Sequence, residues 1–268
     1  MSLSTRRRLG LGLVLAALGA GLPARKAFTA EPADAAAFAT SVETAHGKAA
    51  WRAAKALQAR LSLTFGERPA LAGTILFRTN LATSRIELEG GSVAVFDGAS
   101  AWVAPASSKL ERARFHLLTW PYFAALPMKL RDPGSHLQVL GERSLRGKAY
   151  QAARLTFDPG VGDTPEDWYV LYRDLSSGRL AAAAYIVTYG TSTAVASKEP
   201  HAITYEDYVP VGGAHVATTW TFWHWSEKDG ITGQPIGSGK LSDPKFVEPA
   251  ADAFARPADA REDKLPKP

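Results

Sequence analysis

Acid–base chemistry in this 268-residue chain would fall to six histidines, because the chain contains no cysteine. That absence excludes thiol catalysis, thiolate zinc sites, Fe–S clusters, disulfide scaffolds and lipid attachment through a terminal Cys. His46, His116, His136, His201, His215 and His224 are scattered, with no His-x-His or His-x-x-x-His spacing, so no metal site is expected. His201 and His224 fall on predicted neighbouring strands, and Asp207 and Tyr205 share the face of His201. His201, His224 and Asp207 are therefore the candidate acid–base groups for a metal-independent, cofactor-free enzyme. The other reading of the same residues is surface or rim groups. Nucleophile elbows of the Gly-x-Ser-x-Gly type are absent, and Gly239-Lys240 lacks the spacing of a phosphate loop. Glu166-Asp167 and Glu206-Asp207 read as solvated turn charges at strand edges.

Aromatic residues are the second constellation. Trp220, Phe222 and His224 fall on one face of a strand, Trp223 and Trp225 on the other. Trp168 and Tyr172 oppose Tyr169, and Tyr185 and Tyr189 oppose Ile186 and Thr188. Strands apolar on both faces need a second layer or a cavity on one of them. An aromatic-lined interior then makes Trp120, Tyr122, Phe123, Trp168, Tyr172, Tyr185, Tyr189, Trp220 and Phe222 the candidate ligand-binding residues. A filled core is the alternative use of the same rings.

The elements that would position these side chains can be read from periodicity. Phe38 to Leu61 has apolar positions at helical spacing, with Trp51 and Leu57 as anchors. From Arg60 the period becomes two, and short strands follow at about ten-residue intervals: 60–65, 73–78, 84–89, 92–96 and 100–103. Asp97-Gly98 is a hairpin signal. Residues 115–129 (FHLLTWPYFAALPMK) interrupt the meander with a dense apolar run, read as a short helix near Pro121–Leu126 preceded by a helical or irregular stretch. Strands resume over 137–145, 150–157, 167–174, 179–189, 201–209, 216–225 and 237–246. From Glu248 onward Pro, Ala and charges predict a flexible tail.

The chain opens with an address. Arg6-Arg7-Arg8 precedes an apolar run from Leu9 to Leu22, too short to span a bilayer as a helix, which needs roughly 20 residues. The order cationic, apolar, small is that of a secretory signal over residues 1–30, and the arginine pair resembles the twin-arginine type. An ordinary arginine-rich secretory signal is the alternative. Of 31 Lys and Arg, five lie in these thirty residues with no acid beside them, so the remainder balances 26 cations against 26 acids. The formal charge of +5 thus belongs to the address, and a nucleic-acid partner is not expected.

Several segments together resemble a known family: Ala45-His46-Gly47 with Trp51, the Phe96–Val103 hairpin, Trp168–Asp174 followed by Ser177–Leu180, and Ile203–Tyr208 followed by Gly212-Gly213. The chain is similar to LolA/LolB-like exported bacterial proteins, over residues 31–247. The resemblance implies a mainly β (α+β) fold: a single curved antiparallel sheet forming an unclosed barrel, with an N-terminal helix and short helices at its concave side. It implies an apolar cavity for acyl chains, with residues 115–130 as an internal lid, and Arg78 or Arg85 as counterparts of the family's closing arginine. The receptor member's lipoprotein Cys is absent. Expected on this basis is an exported, periplasmic or extracellular protein that binds a hydrophobic, lipid-like ligand. It needs no cofactor and makes transient contact with a membrane surface or envelope protein. The alternatives are the cofactor-free enzyme and an envelope scaffold with a filled core.

Overall fold

The structure is a computed structural model that describes residues 33–266, so the signal expected over residues 1–30 lies outside the described residues. Two helices come first, α1 (Ala33–Ala45) and α2 (Lys48–Ala53). Where the sequence predicts one helix to Leu61, Gly47 separates them at φ 70°. This left-handed residue cannot be replaced in place, since a Cβ here would sit 2.2 Å from the Gly213 carbonyl oxygen. The backbone turns because the two glycine-bearing segments touch. Glu43, buried on α1, receives the Lys48 ammonium (2.7 Å) and the Arg131 guanidinium, fixing the helix pair to a later loop.

Strands follow as β1 (Ala56–Phe65), β2 (Arg68–Arg78), β3 (Ser84–Leu88), β4 (Val93–Phe96) and β5 (Ala101–Ala104). Helix α3 (Ala113–Ala125) and a 3-10 turn (Leu126–Met128) then cross the concave side. The second run comprises β6 (Ser135–Leu145), β7 (Lys148–Phe157), β8 (Tyr169–Asp174), β9 (Leu180–Tyr185), a one-turn helix α4 (Thr193–Ala196), β10 (His201–Val211), β11 (Ala214–Ser226) and β12 (Gly230–Val247). A two-residue β13 (Arg261–Glu262) ends the series.

Among the described residues these form one antiparallel sheet in the order β13-β5-β4-β3-β2-β1-β12-β11-β10-β9-β8-β7-β6. Its edges, β13 and β6, are not bonded to each other, so the curved sheet stays unclosed. The expected mainly β half-barrel is the observed fold. Alternation explains the core: Leu57, Ala59, Leu61 and Leu63 on β1 face inward, as do Ile75 and Phe77 on β2 and Ile203 and Tyr205 on β10. Helices α1 and α3 cover that face through Phe38, Val42, Leu117, Trp120 and Phe123.

A second, smaller cluster lies on the outer face: Val170, Tyr172, Ala184, Trp223, Trp225 and Ile231. The tip of the β11–β12 hairpin bends over this face until Glu227 meets Arg143 of β6 (2.5 Å). Residues after Glu248, expected as a loose tail, also lie on the outer face. Phe254 is buried with the Arg78 guanidinium 5.5 Å over its ring, and Arg256 covers Trp102 at 4.2 Å. β13 then pairs with β5 through Arg261–Val103 and Glu262–Trp102. Pro and charge content did not signal this, because the packing rests on one phenyl ring and two guanidinium stacks.

Candidate functional site

Helix α3 builds one wall of the site, and a proline inside it decides its shape. Pro121 has no N–H for the carbonyl of Leu117, four residues earlier. Ser84, buried on β3, donates its hydroxyl to that carbonyl instead (2.6 Å). A β-strand side chain thus completes the helix, which starts at Ala113 and takes in the stretch before Pro121 that the sequence leaves open as helical or irregular. Leu117, Trp120 and Phe123 face the sheet. Trp120 meets Phe65, Phe115, Phe123 and Phe222 at centroid distances of 5.8–6.4 Å. Its indole N–H donates to His116 Nδ1 (3.0 Å). Burial, aided by nearby Arg112, depresses the His116 pKa to about 4, so this imidazole is a neutral acceptor in the wall.

The flank of α3 bearing Phe115, Leu118, Thr119 and Tyr122 meets the opposing strands only through its rings. Between it and Phe157, Tyr169, Tyr185, Ile186, Val187 and Tyr189 lies a cavity of about 230 Å³. Its walls are rings: Tyr122 lies 5.5 Å from Tyr169, Phe123 5.0 Å from Tyr185, and Phe115 5.4 Å from Tyr189. Burial holds the phenols of Tyr122, Tyr169 and Tyr185 above their ordinary pKa, so they stay neutral. The Tyr122 hydroxyl is buried without a hydrogen-bond partner among the described residues.

Asp167 closes the cavity wall. One carboxylate oxygen accepts the Thr188 N–H and hydroxyl (both 2.8 Å), the other the Thr164 hydroxyl (2.8 Å). This ties the 158–167 loop to the chain after β9, and burial raises the Asp167 pKa despite those bonds. The sequence reading of Glu166-Asp167 as solvated charges is corrected for one of the two: Glu166 is exposed, whereas Asp167 is a half-buried clip. Arg112 precedes α3 in a left-handed conformation (φ 51°) and lines a neighbouring groove with Tyr189, Asp263 and Lys264. Its guanidinium lies 4.7 Å over Phe115 and 5.3 Å over Tyr189.

The candidate ligand-binding residues divide into three groups. Tyr122, Phe123, Tyr185 and Tyr189 line the cavity. Trp120, Trp220 and Phe222 are buried in the packed core beside it. Trp168 and Tyr172 point the opposite way, into the outer cluster, where the Trp225 indole donates to the Tyr172 hydroxyl (3.0 Å) and lies 5.9 Å from Trp168. Strand alternation sends residues 168, 170 and 172 outward, and the hairpin tip gives them cover there. Tyr169, their inward neighbour, lines the cavity and is outside the candidate set, as are Phe115, Phe157, Ile186 and Val187.

The candidate acid–base groups do not converge. His201 and His224 are cross-strand partners with rings 5.8 Å apart; His201 is half-buried, His224 exposed, and neither lines the cavity. Burial and the neighbouring His224 lower the His201 pKa. Asp207 sits six residues along β10, ~20 Å at strand rise. There its left-handed backbone (φ 51°) drops it from the ladder between Glu206–Thr219 and Tyr208–Ala217 without changing the register, and its carboxylate meets the Thr219 hydroxyl (2.6 Å) and Lys240 (3.9 Å). Arg78 and Arg85 are outside as well: Arg78 covers Phe254, and Arg85 pairs with Glu87 (2.8 Å). Among the described residues no group of three or more His, Asp or Glu is placed to hold a metal ion.

An unclosed antiparallel half-barrel, crossed on its concave side by a helix that leaves an aromatic cavity, is the LolA type of fold. A LolA superfamily protein from Nitrosomonas europaea superposes with a TM-score of 0.53 at 13% identity, covering 83% of this chain and 97% of that one. A DUF1329 family protein from Desulfovibrio piger superposes with a TM-score of 0.50 at 10% identity, covering 82% and 96%. No protein-family model and no curated protein sequence matches the chain. What the likeness shows is the fold.

Proposed function

We propose that this is an exported envelope protein that shelters an apolar, lipid-like ligand between α3 and the sheet. The observation that carries the reading is the 230 Å³ cavity walled mainly by aromatic and aliphatic side chains, with Ser84, Thr119, Asp163, Thr164 and Asp167 as its polar lining. It exceeds the ~150 Å³ dry cavities that accept benzene. It falls below the ~300–1,000 Å³ of pockets for drug-sized ligands. A cavity of this size takes one alkyl chain or ring system, not the several chains of a lipoprotein anchor. The LolA type of fold supports a carrier over an enzyme, and the scatter of His201, His224 and Asp207 supports the same choice.

Export rests on the cationic-then-apolar order of Arg6–Leu22 and on the charge balance of everything after residue 30. In this reading residues 1–30 are a twin-arginine signal and residues 31–247 the carrier domain. Loading then requires passing contact with a membrane surface or another envelope protein. Native mass spectrometry of protein purified from the envelope fraction of producing cells tests the reading. The expected result is a bound species that disappears on denaturation. Leu118→Trp, which fills the cavity, is expected to reduce that species. Unliganded protein alone, with no uptake of an added neutral alkyl probe such as dodecanol, would refute the reading.

A further inference from the structure

Beside the cavity, in a groove that shares Tyr189 with it, stands a cation that sheltering an apolar ligand does not require. Two arginines flank the start of α3, and they are used differently. Arg114 grips Asp163 with two hydrogen bonds (2.5 and 2.8 Å). Asp263, the other acid at this end, accepts the Arg114 backbone N–H (2.9 Å) and faces Arg261 at 3.6 Å. Asp163 and Asp263 are therefore engaged elsewhere. Arg112 makes no ion pair among the described residues; it is held instead by the faces of Phe115 and Tyr189, two rings that line the cavity. Face stacking leaves the planar edge of a guanidinium, with its fork of N–H donors, open to a carboxylate. Its exposed position keeps that edge in water at the boundary of the apolar space.

We propose that the ligand is a single-chain amphiphile with a carboxylate head, its tail in the cavity and its head paired with Arg112. This deepens the shelter reading and rests on it. Scale agrees with one chain. Arg112 and the inner Tyr122 are ten residues apart on α3, ~15 Å at helical rise. An extended chain advances about 1.2 Å per bond, so roughly a dozen bonds span that distance. Dodecanoate has this length, and dodecanol is the same chain without the charge.

Isothermal titration at pH 8 and low salt, using dodecanoate, dodecanol and acetate, tests the assignment. Wild-type protein is expected to prefer dodecanoate to dodecanol by about tenfold, the lower end for a charge-assisted hydrogen bond. That preference is expected to shrink in 0.5 M salt. Acetate is expected not to bind, because the head alone lacks the buried area of the tail. Arg112→Gln is expected to bring dodecanoate down to parity while leaving dodecanol unchanged, and Arg112→Lys to retain part of the preference. Equal binding of the two amphiphiles by wild type, acetate binding as well as dodecanoate, or an undiminished preference in Arg112→Gln overturns the carboxylate assignment and leaves the shelter reading standing. Binding of neither amphiphile to wild-type protein overturns both. The wild-type comparison decides the matter even if a variant fails to fold.

Discussion

His46 makes the stability of this fold depend on pH in a direction that can be worked from its surroundings. The imidazole is fully buried between α1 and the β9–β10 pair. Nδ1–H donates to the Val42 carbonyl (2.7 Å), and Nε2 accepts the Leu180 N–H (3.4 Å). The Tyr208 hydroxyl beside it (3.2 Å) is committed to the Leu180 carbonyl (2.6 Å). Burial lowers the His46 pKa from 6.5 to about 4; the Val42 bond opposes the shift and the charge of Arg179 adds to it. The neutral imidazole is the form that fits.

Between pH 6.5 and 4 the unfolded chain therefore takes up a proton that the folded chain refuses. The contribution is fully present above about 6.5, is lost as pH falls toward 4, and is flat below that. At ~1.4 kcal/mol per pH unit it amounts to roughly 3 kcal/mol. His116, lowered to about 4 by burial, acts in the same sense, and Asp167, raised by burial, acts in the opposite sense at the acid end. Subtracting a His46→Asn variant removes both. Its amide keeps a donor for Val42 but does not titrate. Urea unfolding at one-unit steps from pH 8 to 4 should show the variant less stable at pH 8. The gap to wild type should close by ~3 kcal/mol by pH 4. A gap that stays constant across the range refutes the assignment of the acid sensitivity to His46.

Two further outcomes follow from buried hydroxyls. Ser84→Ala strands the Leu117 carbonyl opposite Pro121 and should cost ~1–3 kcal/mol in urea unfolding. Tyr122→Phe removes a buried hydroxyl that has no partner. It should leave the unliganded protein equally stable or more stable by up to ~1 kcal/mol in thermal unfolding.

The strand framework was legible because most strands here obey strict alternation with one face on the core, and turn residues punctuate them. Illegible parts share a cause: a distant residue satisfies a local violation. Residues 230–236, ahead of the predicted last strand, read as loop because Gly230, Gly233 and Pro235 disfavour strands. Yet β12 runs from Gly230, and its Gly237 and Gly239 are strand residues for a steric reason. A Cβ at 237 would lie 2.5 Å from the Phe65 ring, and one at 239 would lie 3.0 Å from Trp220. Large rings on β1 and β11 demand small residues between them, and no window confined to 230–240 contains that information. Pro121 hid the length of α3 in the same way, since its remedy sits on β3. The cavity was half legible: Tyr122, Phe123, Tyr185 and Tyr189 follow from face and apolarity. Trp168 and Tyr172 have the same aromatic character but lie on the outer face, and only the distant hairpin that covers them distinguishes that face from the inner one.

The place of β1 in the strand order has a kinetic consequence. β1 lies mid-sheet, bonded to β2 on one side and to β12 on the other, with Ala56 opposite Val247. The sheet is thus two meanders, β2–β5 with β1 and β6–β12, sewn along one line by residue pairs from 172 (Phe65–Gly237) to 191 (Ala56–Val247) positions apart. Pairings that remote are the slow ones to form, because closing the intervening chain costs entropy before any contact offsets it. During synthesis the first meander has to wait, its β1 edge unsatisfied, until the chain has been made almost to Val247. Damage along that line delays completion of the sheet far more than equal damage in either meander.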